Sequence, residues 1–128
     1  MLEKYNDNIT ATVFGIYLLG IFIYVVQLIF MTEVWLKGEE IDLSAVIVAR
    51  VMGATWFGFG IGLLLTYFQG PDGQRSFFIG LVVAQIGTLL CLLNAYLQGV
   101  PNSGDDAIIV TVLLVLLLTG CFRIKSRL

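Results

Sequence analysis

The sequence predicts an all-α, polytopic membrane protein: a single four-transmembrane-helix bundle that takes in residues 1–128 as one domain. Three observations predict it. Of the 128 residues 59% are hydrophobic and the mean hydropathy is +0.96, well above the roughly 45–50% apolar share of soluble globular proteins. Apart from Arg50, the seven basic and nine acidic residues fall in short clusters that divide the chain into four apolar stretches. Each stretch runs to about 20 residues, the length a helix needs to cross roughly 30 Å of hydrocarbon.

The first span is expected at about residues 9–31. Asn6, Asp7 and Asn8 precede it, and any one of them can cap the free backbone N–H groups of its first turn. In the leading segment Glu3 and Asp7 outweigh Lys4, and the apolar run that follows is longer than an h-region of about 7–15 residues. This helix is therefore expected to stay in the mature protein. The connection from Thr32 to Leu43 is polar, has Gly38 at its centre, and carries Trp35, whose amphipathic ring suits the headgroup level.

The second span, about residues 44–68, holds Gly53, Gly58, Gly60 and Gly62 and no proline. Glycine weakens a helix in water, but in lipid the intrahelical bonds have no competitor and small residues four apart admit another helix. Ala54, Gly58 and Gly62 are expected to form the main packing face. Pro71-Asp72-Gly73 then predicts a tight reversal, because the fixed proline φ is followed by residues that tolerate positive φ. The third span, about residues 76–96, repeats the spacing in Gly80, Ala84 and Thr88, with Gly87 and Cys91 on a second stripe. The second and third spans are expected to be antiparallel neighbours in the tight centre of a left-handed bundle.

Asp105 and Asp106 end the next loop, where they favour the positive N-terminal end of a helix. The fourth span, about residues 107–122, is nearly pure Val, Leu and Ile before Gly120, and is expected to be the most lipid-exposed. Arg123, Lys125 and Arg127 stop it. No internal repeat or low-complexity segment interrupts the chain, so one compact bundle is the economical architecture.

With four spans, Lys4, Arg75, Arg123, Lys125 and Arg127 share one side, and the loops of the other side hold only Lys37. Short loops rich in Lys and Arg stay in the cytoplasm. The expected location is the cell (inner) membrane, multi-pass, with both termini cytoplasmic. The opposite side carries Glu33, Glu39, Glu40, Asp42, Asp105 and Asp106, an acidic rim whose plain reading is solvation.

Arg50 is the only ionisable residue inside an expected span, and an intramembrane charge is costly enough to mark a candidate site. Two readings stay open. In one, its long side chain snorkels outward to Asp42 or a neighbouring loop acid and anchors the second span at the interface. In the other it faces the bundle, meets Gln27 and Asn94 at a similar depth with Gln85 deeper, and binds a carboxylate, phosphate or lipid headgroup. The amides serve equally as interhelical hydrogen-bond partners. Cys91 and Cys121 lie in apolar stretches and read as small hydrophobes.

The chain has no histidine, which removes bis-histidine haem, the usual zinc catalytic sites and histidine general-base chemistry. It has no Cys-x-x-Cys for thiol exchange. Nor does an expected span contain an acid for proton exchange or a lysine for retinal. No basic run exists to neutralise nucleic-acid phosphates. No cofactor, metal or enzymatic activity is expected, and the expected partners are membrane lipid and either further copies of the chain or a larger membrane complex.

Ala49-Arg50-Val51-Met52-Gly53-Ala54, followed by Gly58-Phe59-Gly60-Ile61-Gly62, resembles the pattern of several small four-helix bacterial membrane families that include DoxX-like proteins. The resemblance covers the layout of most of the chain and these positions in detail. It implies a four-helix bundle and little about activity. Four-helix fluoride channels are of similar size, but their glycine-rich N-terminal arginine motif and the asparagine of their second span have no counterpart here. Function thus divides between a non-catalytic bundle, accessory or self-associating, and a small binding or transport protein for an anionic or amphipathic ligand at Arg50.

Overall fold

Asp7 starts the first long helix: its carboxylate accepts from the Ile9 N–H at 3.1 Å and from the Thr10 hydroxyl at 2.7 Å, satisfying donors the helix itself cannot. In the computed structural model, which describes residues 2–128, this is α1, Asn8–Ile29. It is followed by α2 (Thr32–Gly38), α3 (Val46–Gln69), α4 (Arg75–Leu97) and α5 (Ser103–Arg123), with single 3-10 turns at Leu2–Lys4 and Leu43–Ala45. The described residues contain no strand. α1, α3, α4 and α5 are each long and apolar enough to cross a membrane, the architecture of a multi-pass integral membrane protein.

The expected ends hold to within a few residues, with two differences. α1 stops at Ile29 because Thr32 turns its hydroxyl back onto the Leu28 and Ile29 carbonyls, and the chain restarts there as the short α2. Leu36 of α2 is buried with Leu28 and Ala49, and Trp35 meets Tyr24 edge-on at 6.0 Å. The loop expected at the membrane surface is thus a helix seated on α1 and α3. α5 begins at Ser103 and so takes Asp105 and Asp106 into its first turn, where the helix dipole favours them.

The packing order departs from the expectation. α1, not the second and third spans, is the central helix: it packs on α3 and on α5, and α4 packs on α5. Its buried residues Ala11, Phe14, Tyr17, Leu18, Ile21, Val25 and Leu28 follow helical spacing and make one broad apolar face. α3 and α4 run antiparallel but do not pack along their length. They approach where the Phe77 ring lies over Gly62, close to the turn that joins them.

The glycines explain the difference. A Cβ on Gly53 would fall 2.8 Å from Ile29 and one on Gly60 3.1 Å from Ile21, so these two positions are where α1 presses onto α3. They are seven residues apart, two turns, and share a face with the buried Ala49, Trp56, Leu63 and Tyr67. Gly58 has open space where its Cβ would be, and Ala54 is exposed. Within the chain, the stripe expected to pack most tightly therefore faces away from the other helices, Gly62 excepted. On α4, Gly80 is likewise open, while Ala84 packs against the core.

α5, expected to be the most lipid-exposed helix, is as little buried as α4 and less than α1 or α3, and it touches both α1 and α4. Its Gly120 receives the Phe14 ring, its Leu113 fills the space beside Gly20, and its Leu117 is fully buried. Phe14 also stacks on Phe78 of α4 at 5.3 Å, so α1 and α4 meet across the bundle.

The end that carries both termini is closed by polar contacts. Tyr5 is buried between Phe14 and Tyr67, bonded through its hydroxyl to Thr66. Pro71 to Gln74 forms the expected reversal, with the Gln74 N–H on the Pro71 carbonyl at 3.1 Å and Gly73 at φ +74°. Arg123 grips Asp7 with two bonds, and Arg127 grips Asp72 while also donating to the Lys4 and Tyr5 carbonyls.

Candidate functional site

Among the described residues no hydrogen bond joins the four polar residues singled out in the spans. Arg50 is exposed in the second turn of α3, and its Nε is 3.4 Å from the Thr32 hydroxyl, a long and weak bond. Among the described residues no carboxylate lies within ion-pairing distance of it. It neither anchors to Asp42 nor meets an amide: the Asp42 carboxylate accepts instead from the Ser44 N–H at 2.7 Å, capping the 3-10 turn ahead of α3. Hydrogen bonding from Ser44, its side chain first and then its N–H, holds the Asp42 carboxyl below the usual carboxylate range.

Gln27 lies beside Phe22, Ile23, Val26 and Met31 in a shallow, almost wholly apolar depression on α1. Asn94 is exposed near the end of α4. No hydrogen bond joins Arg50, Gln27 and Asn94 to one another among the described residues. Counting along a helix gives depth but not direction. Arg50 follows Ala49, which faces α1, and so points about 100° away from it.

Gln85 sits elsewhere, in the core, at 3% exposure. Its Oε1 accepts from the Tyr17 hydroxyl at 2.8 Å and its Nε2 donates to the Val110 carbonyl at 3.2 Å, so one side chain joins α1, α4 and α5. Every buried side-chain nitrogen or oxygen among the described residues has a hydrogen-bond partner.

Two features of the surface were not read from the sequence. One is an open groove of about 530 Å³ where α4 meets α5 at the end remote from the termini. Leu93 and Tyr96 form one wall, Ile108 and Val112 the other, with Gly104 and Asp105 at its mouth. The lining is apolar apart from Asp105 and Thr111. The other is the clasp at the opposite end, whose signal in the sequence is that Asp7 and Asp72 fall on the same side as Arg123 and Arg127.

The electrostatics of the two ends are opposite. Beside Arg123, and bonded to Thr10, the Asp7 carboxyl is held well below the usual carboxylate range, and Arg127 lowers Asp72 in the same way. Burial pushes the Tyr5 phenol up to about 12. At the other end the Glu39 carboxyl is raised, first by burial and then by the neighbouring Asp106 and Asp105. Among the described residues no group of three or more His, Cys, Asp or Glu side chains is placed to hold a metal ion. Comparison with protein-family models, curated proteins and solved structures finds no match to this chain.

Proposed function

We propose that the chain is a non-catalytic membrane protein that works by association, either as a self-associating bundle or as an accessory subunit of a larger membrane complex. The observation that carries this reading is the sorting of its small residues. Gly53, Gly60, Gly62 and Gly120 each admit a side chain of another helix, whereas Gly58 has open space beside it and Ala54 is exposed on the outer face of α3. Lipid tails are as apolar as leucine, so helices associate in a bilayer through close packing at small residues and through polar pairs. A small-residue face turned outward fits that use. Both termini lie in the cytoplasm on this reading, on the side that holds Lys4, Arg75, Arg123, Lys125 and Arg127.

Native mass spectrometry of protein gently extracted from its own membrane tests the reading, since one spectrum reports copy number and partner subunits. A complex of more than one chain that Gly58→Leu dissociates is the expected result. A monomer without partners, or an assembly indifferent to that change, would overturn it.

A second reading, a binding or transport protein for an anionic or amphipathic ligand, is favoured by the exposed Arg50 guanidinium, which has no ion pair among the described residues. Its distinguishing result is a retained anionic molecule that Arg50→Ala removes without loss of thermal stability.

A further inference from the structure

The self-association reading leaves open which surfaces meet, and the inference here rests on that reading. α3 and α5 both start at the end remote from the termini and run the same way. Arg50 lies about 6 Å along α3 and Asp105 about 3 Å along α5 at a rise of about 1.5 Å per residue, so both fall within the first two turns at that end. Neither has an ion pair within its own chain among the described residues. Below Arg50 the face of α3 consists of Val51, Ala54 and Gly58, a shallow surface that a helix can approach closely. Below Asp105 lies the groove between α4 and α5, walled by Leu93, Tyr96, Ile108 and Val112. One surface offers an unpaired cation over small residues, the other an unpaired carboxylate over an apolar furrow, in the same half of the membrane.

We propose that a second copy of this chain covers this groove, seating its α3 there so that its Arg50 pairs with Asp105 and its Ala54 and Gly58 lie against Ile108 and Val112. The two patches are different surfaces of one chain, so the contact is head-to-tail and propagates into a ring or a chain of copies. An ion pair at the edge of hydrocarbon is only partly hydrated, which makes it a stronger determinant of pairing than at a water-exposed surface. It also brings positive charge to the acidic corner where Glu39, Asp105 and Asp106 crowd one another.

The test is the oligomer population of the full chain in lipid bilayers, read by single-molecule fluorescence across protein-to-lipid ratios, for wild type, Arg50→Glu, Asp105→Arg and the double variant. Both residues are exposed, and unchanged unfolding midpoints establish that the variants fold. Each single reversal is expected to weaken association about three- to tenfold, and the double variant, or a mixture of the two single variants, to restore it. Single reversals without effect, or losses that neither combination restores, overturn this contact while leaving self-association by another surface intact. A wild-type chain that is monomeric at every ratio overturns both readings.

Discussion

The Tyr17 hydroxyl donates to Gln85 Oε1 at 2.8 Å in the interior of the bundle, joining the central helix α1 to α4, which otherwise leans mainly on α5. Gln85 completes the link by donating to the Val110 carbonyl of α5. Three helices are thus held in one register by two hydrogen bonds at a point where no water competes.

Gln85→Leu removes both bonds and strands the Tyr17 hydroxyl. A single intramembrane hydrogen bond contributes about 0.6 kcal/mol on average and up to about 1.7 kcal/mol, and an orphaned buried hydroxyl adds its own cost. We expect a loss of about 1–2 kcal/mol in detergent unfolding. Tyr17→Phe combined with Gln85→Leu should cost less than the two changes summed, because the double variant leaves no orphan. Strict additivity would show that the pair is not coupled.

Gly120 and Gly58 should respond in opposite ways to the same methyl group. A Cβ on Gly120 has no room beside the Phe14 ring, which is itself pinned by Tyr5 and Phe78. Gly120→Ala should therefore cost about 1–3 kcal/mol, the usual penalty for overpacking. Gly58→Ala meets nothing within the chain and should leave the stability of the isolated protein within about 0.5 kcal/mol. Equal effects at the two sites, measured as unfolding free energies in detergent, would contradict the assigned packing.

The number of spans and their approximate ends are legible in the sequence because hydrocarbon thickness sets helix length and charged loops mark the limits. The azimuth of each helix is not. Gly53, Gly58, Gly60 and Gly62 occupy one short stretch of α3, yet Gly53 and Gly60 face α1, Gly62 faces α4, and Gly58 faces out. Membrane helices lack the polar and apolar faces that reveal orientation in soluble proteins, since lipid and core select the same residue types. Residue counting places Arg50, Gln27 and Asn94 at one depth, which predicts a shared pocket, but no hydrogen bond joins them among the described residues. Gln85 was recognisable as unusual from its polarity alone, and its partners became evident only once Tyr17 and Val110 were placed around it.

Arg127 ties the C-terminal segment to the 70–74 turn and to the N-terminal segment in one contact. Its guanidinium bonds Asp72 and two carbonyls, and its own carbonyl accepts from the Gly73 N–H at 3.2 Å. Arg127→Lys keeps the charge but loses the planar fork. Backbone amides of residues 3–7 and 70–74 should then exchange with deuterium several-fold faster in hydrogen-exchange mass spectrometry, while those of α4 beyond Leu81 stay unchanged. Unaltered exchange at both segments would mean that the clasp does not hold this end.

The two ends should also respond to acid with opposite sign. Asp7 and Asp72 have depressed values in the folded protein. Their contribution is fully present above the ordinary carboxylate value of about 3.9 and is lost as pH falls through the lower folded values. Glu39 is raised by burial and by Asp106 and Asp105, so the folded state takes up its proton first. Stability at that end is highest below the ordinary glutamate value of about 4.3 and declines as pH rises through the higher folded value. Hydrogen exchange followed from neutral pH downward, corrected for the intrinsic pH dependence of amide exchange, should show residues 36–40 and 102–106 becoming better protected before residues 3–10 loosen. Glu39→Gln should reduce the first change, most at residues 36–40, and spare the second. Loss of protection at both ends together, in the wild-type protein, would show that Glu39 does not carry the effect.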